Sequence, residues 1–395
     1  MIVDILKLDN FGRGICYVQN KICFVPNTFP NEKVEIEIVF EASKYFIGNV
    51  IQIIEKSPSR IESICPYSST CGGCAFMEYD YILENQFKED KIIDLVSRKL
   101  KLSSDLVLPI LSDKNLSYRN KIVLHGDGEK MGLYEEKSNE IVPIKNCSLV
   151  LPSIQMILSL FSNLKDTDEV MIRSNNNQSE CMISIKGRGD YSFLQKSCTS
   201  FIVNDKVLKG NGFITNTILD KNFQVSSHSF FQVNAFLTNK MFEVVSTILS
   251  KYSISTLLDL YCGTGTFGIS LSNYCDKVIG IDYNPSNIED AIENSKKNFV
   301  SNIEFICDKV ENQIANFYNV DCILVDPARN GLDPKSRNTI KRIASPYFIY
   351  VSCNPDTLFR DLEDLLDTYE IKMIQPINFF PRTYHCESVC ILERR

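Results

Sequence analysis

The stretch Leu258-Asp-Leu-Tyr-Cys-Gly263-Thr-Gly265-Thr-Phe-Gly268 decides the fold of the carboxyl-terminal part of the chain. An apolar run typical of a buried strand ends there in a glycine-rich loop that matches G-x-G-x-x-G. Asp282 ends the next predicted strand, 19 residues after Gly263, where a ribose-binding acid is expected. The pattern therefore predicts a nucleotide-like cofactor at the carboxyl ends of neighbouring strands.

Two cofactors fit this loop. A nicotinamide cofactor, and with it an NAD-dependent oxidoreductase, fits the glycine spacing. S-adenosylmethionine (AdoMet) also fits, because the first loop of AdoMet-dependent methyltransferases is glycine-rich as well. Asp259 and Asp326 lie at the ends of the first and fourth predicted strands. Carboxylates at these positions attract a cationic sulfonium and repel a pyrophosphate, so they favour the methyltransferase.

Strands and helices alternate through residues 226–395, which we predict to be one domain. Alternation of this kind is typical of a doubly wound α/β domain with a mainly parallel sheet. The predicted strands span residues 256–262, 277–282, 303–307, 321–326 and 347–353.

The last of these strands places one thiol, Cys353, directly before a predicted helix. Asn354 suits the N-cap position and Pro355 the first helical position. A helix N-terminus can lower a thiol pKa, so we expect a thiolate nucleophile available near neutral pH. The alternative is a small buried cysteine at the end of a strand.

Composition sets broad limits. A chain of 395 residues predicts two or three domains. No stretch of 18 apolar residues and no signal peptide is evident, so we expect a cytoplasmic protein that does not contact membranes. Its 15 cysteines are then expected as thiols, ligands or nucleophiles. The net charge of −7 gives no overall attraction to nucleic acid, so any RNA contacts must be local.

Residues 1–56 alternate short apolar segments with turn residues, and residues 34–39 keep a strict in-and-out alternation. Five short strands in this length predict a small barrel of the oligonucleotide-binding kind. Barrels of this size serve many roles, so the pattern alone leaves RNA binding open.

A cysteine loop begins the predicted β-rich central domain, residues 57–225. Cys65, Cys71 and Cys74 supply three ligands, and Cys147 is the expected fourth. Four thiolates fit either zinc or a [4Fe–4S] cluster, and their spacing does not decide between them. Unligated loop cysteines are the alternative. Residues 76–100 predict an amphipathic helix that packs the cysteine loop against its neighbour. Tyr118-Arg119-Asn120-Lys121 is a compact basic patch that either contacts phosphates or forms a solvated strand end.

Together these motifs resemble the RNA 5-methyluridine (uracil-5-)-methyltransferases. The resemblance is strongest to the iron–sulfur 23S ribosomal RNA branch with an amino-terminal TRAM domain, and it covers nearly the whole length. The supporting motifs are Cys65/Cys71-Gly-Gly-Cys74 with Cys147, Phe231-Gln232-Val-Asn234, the glycine loop, Asp326-Pro-Ala-Arg329, Ser352-Cys353-Asn-Pro355 and His385-Cys-Glu387-Ser-Val389.

The resemblance implies a Rossmann-like class I methyltransferase domain and a monomer. It makes Cys353 the nucleophile and Glu387 the general base, and burial in an apolar strand would raise the pKa of Glu387. Pairing of Glu387 with a cation such as Arg382 is the alternative. The implied AdoMet contacts are Gln232, Tyr261, Gly263, Thr266, Asp282, Asp308 and Asp326. The four cysteines would hold a [4Fe–4S] cluster, as in that family.

The implied reaction is methylation of carbon 5 of a uridine in 23S ribosomal RNA. Transfer RNA is the alternative substrate, but the transfer-RNA branch typically lacks both the cluster cysteines and the barrel. The protein could instead bind RNA without any activity, or it could methylate carbon 5 of cytosine in RNA. The intact cysteine, acid and glycine loop argue against a protein that only binds RNA. A cytosine-5 methyltransferase is expected to carry its nucleophile in a different sequence motif.

Overall fold

The structure is a computed structural model that describes residues 1–136, 138–161 and 164–395. Within these ranges the strands form one six-stranded sheet, two seven-stranded sheets and a two-stranded hairpin. None of the helices in these ranges has the length and apolar character needed to cross a membrane. Short 3₁₀ segments lie at Ser104–Leu106, Ser192–Ser197, Ser272–Tyr274 and Ile314–Asn316.

Residues 2–55 form a sheet around its own apolar core. Its strands are β1 (Ile2–Asp4), β2 (Lys7–Leu8), β3 (Gly14–Val18), β4 (Lys21–Val25), β5 (Lys33–Glu41) and β6 (Tyr45–Glu55). They follow the order β1-β5-β6-β4-β3-β2, one strand more than predicted. Val34 and Ile36 are buried while Glu37 is exposed, as the alternation predicts. Register shifts between β5 and β6 bend this long pair.

Helix α1 (Tyr81–Asp94) connects this sheet to the rest of the molecule. It begins later than predicted because the Asp80 carboxylate accepts hydrogen bonds from the backbone N–H groups of Ile82 and Leu83. A π-helical turn (Leu95–Leu100) extends it. The buried face of this unit, which includes Ile92, packs into the core of the carboxyl-terminal sheet.

The second sheet and a hairpin follow. The elements are β7 (Lys121–Gly126), β8 (Met131–Tyr134), β9 (Ile141–Pro143), α2 (Pro152–Leu158), β10 (Thr167–Ser174), β11 (Cys181–Gly187), β12 (Ser200–Val203), β13 (Lys206–Lys209), β14 (Phe213–Ile218) and β15 (Lys221–Ser226). The sheet order is β13-β12-β11-β10-β7-β8-β9, and β14 pairs with β15 alone. Helix α2 buries its apolar side against this sheet through Ile154 and Ile157.

The third sheet has the alternating pattern of a doubly wound fold. Its elements are α3 (Leu237–Leu249), β16 (Ile254–Leu260), α4 (Thr266–Leu271), β17 (Cys275–Asp282), α5 (Pro285–Lys297), β18 (Ile303–Cys307), α6 (Val310–Gln313), β19 (Cys322–Val325), α7 (Pro334–Ile343), β20 (Tyr347–Ser352), α8 (Pro355–Leu365), β21 (Tyr369–Ile377) and β22 (Glu387–Arg394).

The strand order is β18-β17-β16-β19-β20-β22-β21. The first five are parallel, and β22 runs antiparallel to both neighbours. All five predicted strands are present within two residues of their predicted bounds. The order reverses between β16 and β19, and such a switch point places a ligand crevice at the carboxyl ends of the strands.

Two parts of the predicted central segment pack on this third sheet. The hairpin β14–β15 joins its core, and Gln224 and Asn222 bond to Asn294 and Asn298 at the end of α5. Helix α1 packs on its other side. The proposed division of the chain at residues 56 and 225 stays a prediction, and this packing favours an earlier second boundary.

A buried ion pair holds α1 to the segment between β21 and β22. The Lys88 ammonium donates to Glu84 at 2.7 Å and to Asn378 at 2.6 Å, and both charged side chains are fully buried. Glu84 also accepts from the backbone N–H of Arg382 at 2.9 Å. Burial lowers the pKa of Lys88 while Glu84 opposes this shift. Each charge here depends on its partner.

We predict that Lys88→Met destabilises the protein by about 3–5 kcal/mol, because the buried Glu84 carboxylate loses its nearest counter-ion and keeps only the Arg382 guanidinium, at 3.8 Å. Arg98→Ala is the matched control: Arg98 forms an equivalent i,i+4 pair with Asp94, but both side chains are exposed. Its loss should cost less than about 0.5 kcal/mol. Urea unfolding measures both, and equal effects would contradict a structural role for the buried pair.

Candidate active site

The predicted site residues follow the carboxyl ends of neighbouring strands. Tyr261 follows β16, Asp308 follows β18, Asp326 follows β19 and Cys353 follows β20, while Asp282 is the last residue of β17. Carboxyl ends of parallel strands meet at one edge of a sheet. The structure therefore brings these five residues to the edge of the third sheet at which its parallel strands end.

The glycine loop takes a backbone shape that few side chains allow. Gly263 and Gly265 have φ of 53° and 77°, and Gly265 precedes the first residue of α4, Thr266. Tyr261 also has a positive φ, 62°, which is strained for an aromatic residue. The Gly263 N–H donates to the Asp282 carboxylate at 3.1 Å, which fixes the loop against β17.

Asp259 lies buried beneath this loop. One of its carboxylate oxygens accepts from the Gly268 N–H at 2.8 Å. Its other oxygen has no hydrogen-bond partner within the described residues. Burial, and secondarily Asp326 and Asp282, raise the pKa of Asp259 to about 8. With this pKa the carboxyl group is mostly protonated at pH 7, so its unpartnered oxygen can donate as well as accept beneath the crevice.

Two more acids line the neighbouring strand ends. Asp282 accepts from the Asn284 N–H at 2.9 Å and from Asn287 at 3.2 Å, and its carbonyl accepts from the Asp308 N–H at 3.1 Å. The Asp308 carboxylate accepts from Gln313 at 2.6 Å and from Asn312, which lowers its pKa. Both acids are thus held in place by neighbouring amides.

Gln232 lies outside the parallel strands, in the segment between β15 and α3. It is buried, and its carbonyl accepts from Asn120 at 3.0 Å. Asn234 donates to the Phe379 carbonyl and accepts from the first N–H groups of α3. The structure gives Gln232 no side-chain hydrogen bond within the described residues, so its predicted contact with a cofactor stays a prediction.

The antiparallel pairing of β20 with β22 brings together the predicted nucleophile and base. Ser352 pairs with Ser388, so the same register places Cys353 opposite Glu387. The two come from separate parts of the chain and share one strand end. Glu387 is 4% exposed, and Cys353 is half-buried.

The expectation that the helix N-terminus lowers the pKa of Cys353 is wrong for the free enzyme. Asn354 does cap α8, with its side chain accepting from the Asp356 N–H. Burial, however, and then the carboxylates of Glu387 and Asp326, raise the thiol pKa to about 12, and the charge that opposes them most is that of Arg329. Desolvation and two nearby acids therefore outweigh the helix N-terminus.

The pKa of each acid beside the thiol is also raised. Burial and then Asp326 raise the pKa of Glu387 well above its ordinary value, as the sequence predicts. Burial raises the pKa of Asp326 to about 7. Arg382 does not pair with Glu387, because its guanidinium donates to the carbonyls of Phe76 and Tyr79. The cation that acts on Glu387 is instead the guanidinium of Arg329.

Arg329 and His385 are functional candidates for which the sequence predicts no role, although both lie in the motifs that carry the resemblance. The guanidinium of Arg329 lies 3.2 Å from the His385 ring nitrogen Nε2. The Arg329 carbonyl accepts from Asn354 and Thr357, which join it to the start of α8. Burial and then Arg329 lower the pKa of His385 to about 4, so its imidazole is neutral at pH 7.

The four predicted cluster cysteines lie around one cavity of about 490 Å³. Burial raises the pKa of Cys71, Cys74 and Cys147, and neighbouring thiols of the set raise each further. Backbone N–H groups that interact with the sulfurs of Cys71 and Cys147 lower the pKa of these two thiols and so oppose the shift. Cys65 lines the same cavity.

The predicted basic patch is mostly internal. Tyr118 and Asn120 are buried, and burial lowers the pKa of Lys121 to about 8. Of the four residues, Arg119 alone adjoins both the cysteine cavity and a second, neighbouring cavity. The patch therefore does not form the exposed phosphate-binding surface that the sequence predicts.

Comparison with known proteins places this geometry in a family. Residues 203–395 match the model of the tRNA (Uracil-5-)-methyltransferase family, and residues 1–51 match the TRAM domain. An uncharacterized RNA methyltransferase of Halalkalibacterium halodurans is 30% identical over 99% of this chain and 96% of its own length. A second, from Clostridium acetobutylicum, is 30% identical over 98% and 95%.

Solved structures agree with these matches. The crystal structure of a tRNA (uracil-54, C5)-methyltransferase from Pyrococcus abyssi, in complex with S-adenosyl-L-homocysteine, has a TM-score of 0.79 and 25% identity. It covers 99% of this chain and 100% of that chain, which confirms the predicted Rossmann-like methyltransferase domain. The chain belongs to the tRNA (uracil-5-)-methyltransferase family of RNA methyltransferases and begins with a TRAM domain.

Proposed function

We propose that this protein transfers a methyl group from AdoMet to carbon 5 of a uridine in 23S ribosomal RNA. The observation that carries the proposal is the placement of Cys353 opposite Glu387, beside Asp326, at the crevice of a methyltransferase sheet. A thiol paired with a carboxyl group suits the addition and elimination that uracil requires.

Carbon 5 of uracil is a poor nucleophile, so the ring must first be activated. In the proposed reaction the Cys353 thiolate adds to carbon 6, and the electron pair of the 5,6 double bond moves towards carbon 5 and the carbonyl oxygen. Arg329 favours the thiolate because its positive charge lowers the thiol pKa. AdoMet, when bound, supplies the electrophilic methyl group that carbon 5 accepts.

Glu387 then acts as the general base. It removes the proton from carbon 5, the double bond re-forms, and the thiolate leaves carbon 6. The raised pKa of Glu387 makes its carboxylate a stronger base than an exposed glutamate. We assign Asp326, which follows β19, and Gln232, from the Phe231-Gln232-Val-Asn234 motif, to positioning the reactants.

The residues at the strand ends fit AdoMet. Family membership favours it over the nicotinamide cofactor, and the P. abyssi protein binds S-adenosyl-L-homocysteine. A bound cation would favour the ionised forms of Asp259 and Asp326, and the open space at Gly263 lets a ligand approach the backbone. The residues that would hold it are Gln232, Tyr261, Gly263, Thr266, Asp282, Asp308 and Asp326.

Transfer RNA is the second candidate substrate, and a specific observation favours it. The sequence favours 23S ribosomal RNA because the transfer-RNA branch typically lacks the barrel and the cysteines. The P. abyssi enzyme, which acts on transfer RNA, nevertheless matches this chain over 99% of its length. The barrel alone therefore does not separate the two substrates.

We also propose that Cys65, Cys71, Cys74 and Cys147 hold a [4Fe–4S] cluster. The shared cavity and the N–H groups near two of the sulfurs fit anionic thiolates. In the described part of the chain, no three His, Cys, Asp or Glu side chains are grouped to hold one metal ion. Four thiolates also fit zinc, and the resemblance to the iron–sulfur branch is what favours the cluster.

We predict a covalent trap. With AdoMet and RNA that contains 5-fluorouridine, the wild-type enzyme should form a stable adduct, because fluorine cannot leave as a proton. Cys353→Ala should form none, whereas Cys307→Ala, which removes an exposed cysteine, should behave as wild type. Denaturing gel electrophoresis and peptide mass spectrometry detect the adduct. An adduct in Cys353→Ala would refute this nucleophile.

The same assay tests the base. With ordinary uridine RNA, Glu387→Gln should accumulate the methylated adduct, and its turnover should fall about 10²- to 10⁴-fold. Normal turnover in Glu387→Gln would remove this residue from the mechanism.

We predict that alkylation of Cys353 by iodoacetamide keeps rising between about pH 7 and pH 10, since its pKa lies above this range. At about pH 9 Asp326 is ionised, so Asp326→Asn should lower the thiol pKa and speed alkylation roughly two- to tenfold. Arg329→Gln should slow it. Mass spectrometry of the Cys353 peptide measures the rates, and opposite signs would contradict this electrostatic picture.

We predict about four iron and four sulfide per chain after purification without oxygen. Cys74→Ser should lose most of the iron and weaken RNA binding, while AdoMet affinity stays unchanged. Cys181→Ser, also half-buried but outside the set, should keep its iron. Iron and sulfide assays decide the matter, and stoichiometric zinc with no sulfide would overturn the cluster.

A further inference from the structure

A second cavity, of about 640 Å³, lies where three parts of the chain meet. It is lined by the turn of the TRAM sheet at Phe11, by the cysteine loop at Gly73, and by the segment before β22 at Tyr384 and His385. Cys353, Glu387 and Asp326 do not line it. The cavity is therefore next to the reacting groups but separate from them.

Aromatic rings form one side of the cavity. Phe11 is 50% exposed, and its ring meets that of Tyr384 edge-on at 5.5 Å. The Tyr384 ring also contacts the neutral His385 ring at 4.2 Å. Behind them, Tyr384 packs on the buried cluster of Phe29, Phe76 and Tyr79. The rings are thus fixed from behind and accessible in front.

Three arginines supply the charge. Arg13 is partly neutralised by Asp9, at 2.6 Å, and lies over the Phe24 ring. The Nε atom of Arg119 is buried without a hydrogen-bond partner in the described part of the chain. Arg329 is exposed and contacts neutral His385. Glu135 and Glu136 also line the cavity and are exposed, so the attraction for anions is limited to the surroundings of the arginines.

We propose that this cavity binds the unpaired nucleotide next to the target uridine, with its base against Tyr384 and Phe11 and its phosphate beside Arg119 and Arg329. The inference rests on the proposed function. Aromatic faces and arginines are the groups that bind unstacked single-stranded RNA. The volume suits one nucleotide, since pockets for small ligands span about 300–1,000 Å³.

The position of the cavity explains why the bound nucleotide would be the neighbour of the target uridine. Arg329 lies at the cavity and also acts electrostatically on both Cys353 and Glu387. His385 is two residues from Glu387 in the chain. In an RNA strand whose uridine reaches Cys353, we therefore place the neighbouring nucleotide in this cavity. The subsite would hold the target base out of its stack by binding its neighbour.

The test is photo-cross-linking to an oligouridine strand that contains 5-iodouridine, analysed by peptide mass spectrometry. We expect cross-links on Phe11 and Tyr384 in the wild-type protein. Tyr384→Leu keeps an apolar body for packing but loses the aromatic face, and should weaken binding of the oligonucleotide about tenfold. Tyr384→Phe should restore wild-type binding.

Tyr318→Leu is the matched control. Tyr318 is 72% exposed and precedes β19, at the opposite edge of the sheet. Cross-links confined to residues outside the cavity, or equal affinities for Tyr384→Leu and Tyr318→Leu, would overturn the subsite. Neither readout needs methyl transfer. An inactive protein that still cross-links at Tyr384 would therefore contradict the uridine chemistry and leave the subsite supported.

Discussion

The pairing of β22 against β20 is the constraint on which the site depends. It sets a carboxyl group opposite a thiol at a single strand end, and a slip of one residue would turn Glu387 to the other face of the sheet. Burial at this point raises the pKa of both groups. The free enzyme therefore keeps its nucleophile protonated, and the charge of Arg329 is the chain's main means of opposing this.

The segment between β21 and β22 connects the site to α1 and to the cysteine loop. Glu84 and Lys88 of α1 hold it at Asn378 and at the backbone of Arg382. The Arg382 guanidinium in turn binds carbonyls beside the cysteine loop. A cluster in that loop, if held as we propose, would stabilise the RNA-facing side of the site without entering the chemistry.

Local sequence was enough to predict the parallel strands, the cap at Asn354 and the grouping of four cysteines around one cavity. The strands and the cap depend on near neighbours and on strand direction, whereas Cys147 was grouped with the loop cysteines only because three thiolates need a fourth ligand. The packing of α1 and of the hairpin β14–β15 on the third sheet was not predictable, because tertiary contacts decide it. The expectation of a lowered thiol pKa was wrong for the same reason: burial and Asp326 come from distant segments. Arg119 was predicted as part of a basic patch, but the burial of Tyr118 and Asn120 and its position between two cavities depend on tertiary packing.

The most direct measurement is transfer of labelled methyl from AdoMet to unmodified 23S ribosomal RNA and, separately, to unmodified transfer RNA, with the product nucleoside identified by mass spectrometry. We predict 5-methyluridine in 23S ribosomal RNA. Label in transfer RNA alone would keep the chemistry and replace the substrate. Methyl groups on any other base, or no transfer to either RNA, would contradict the central claim.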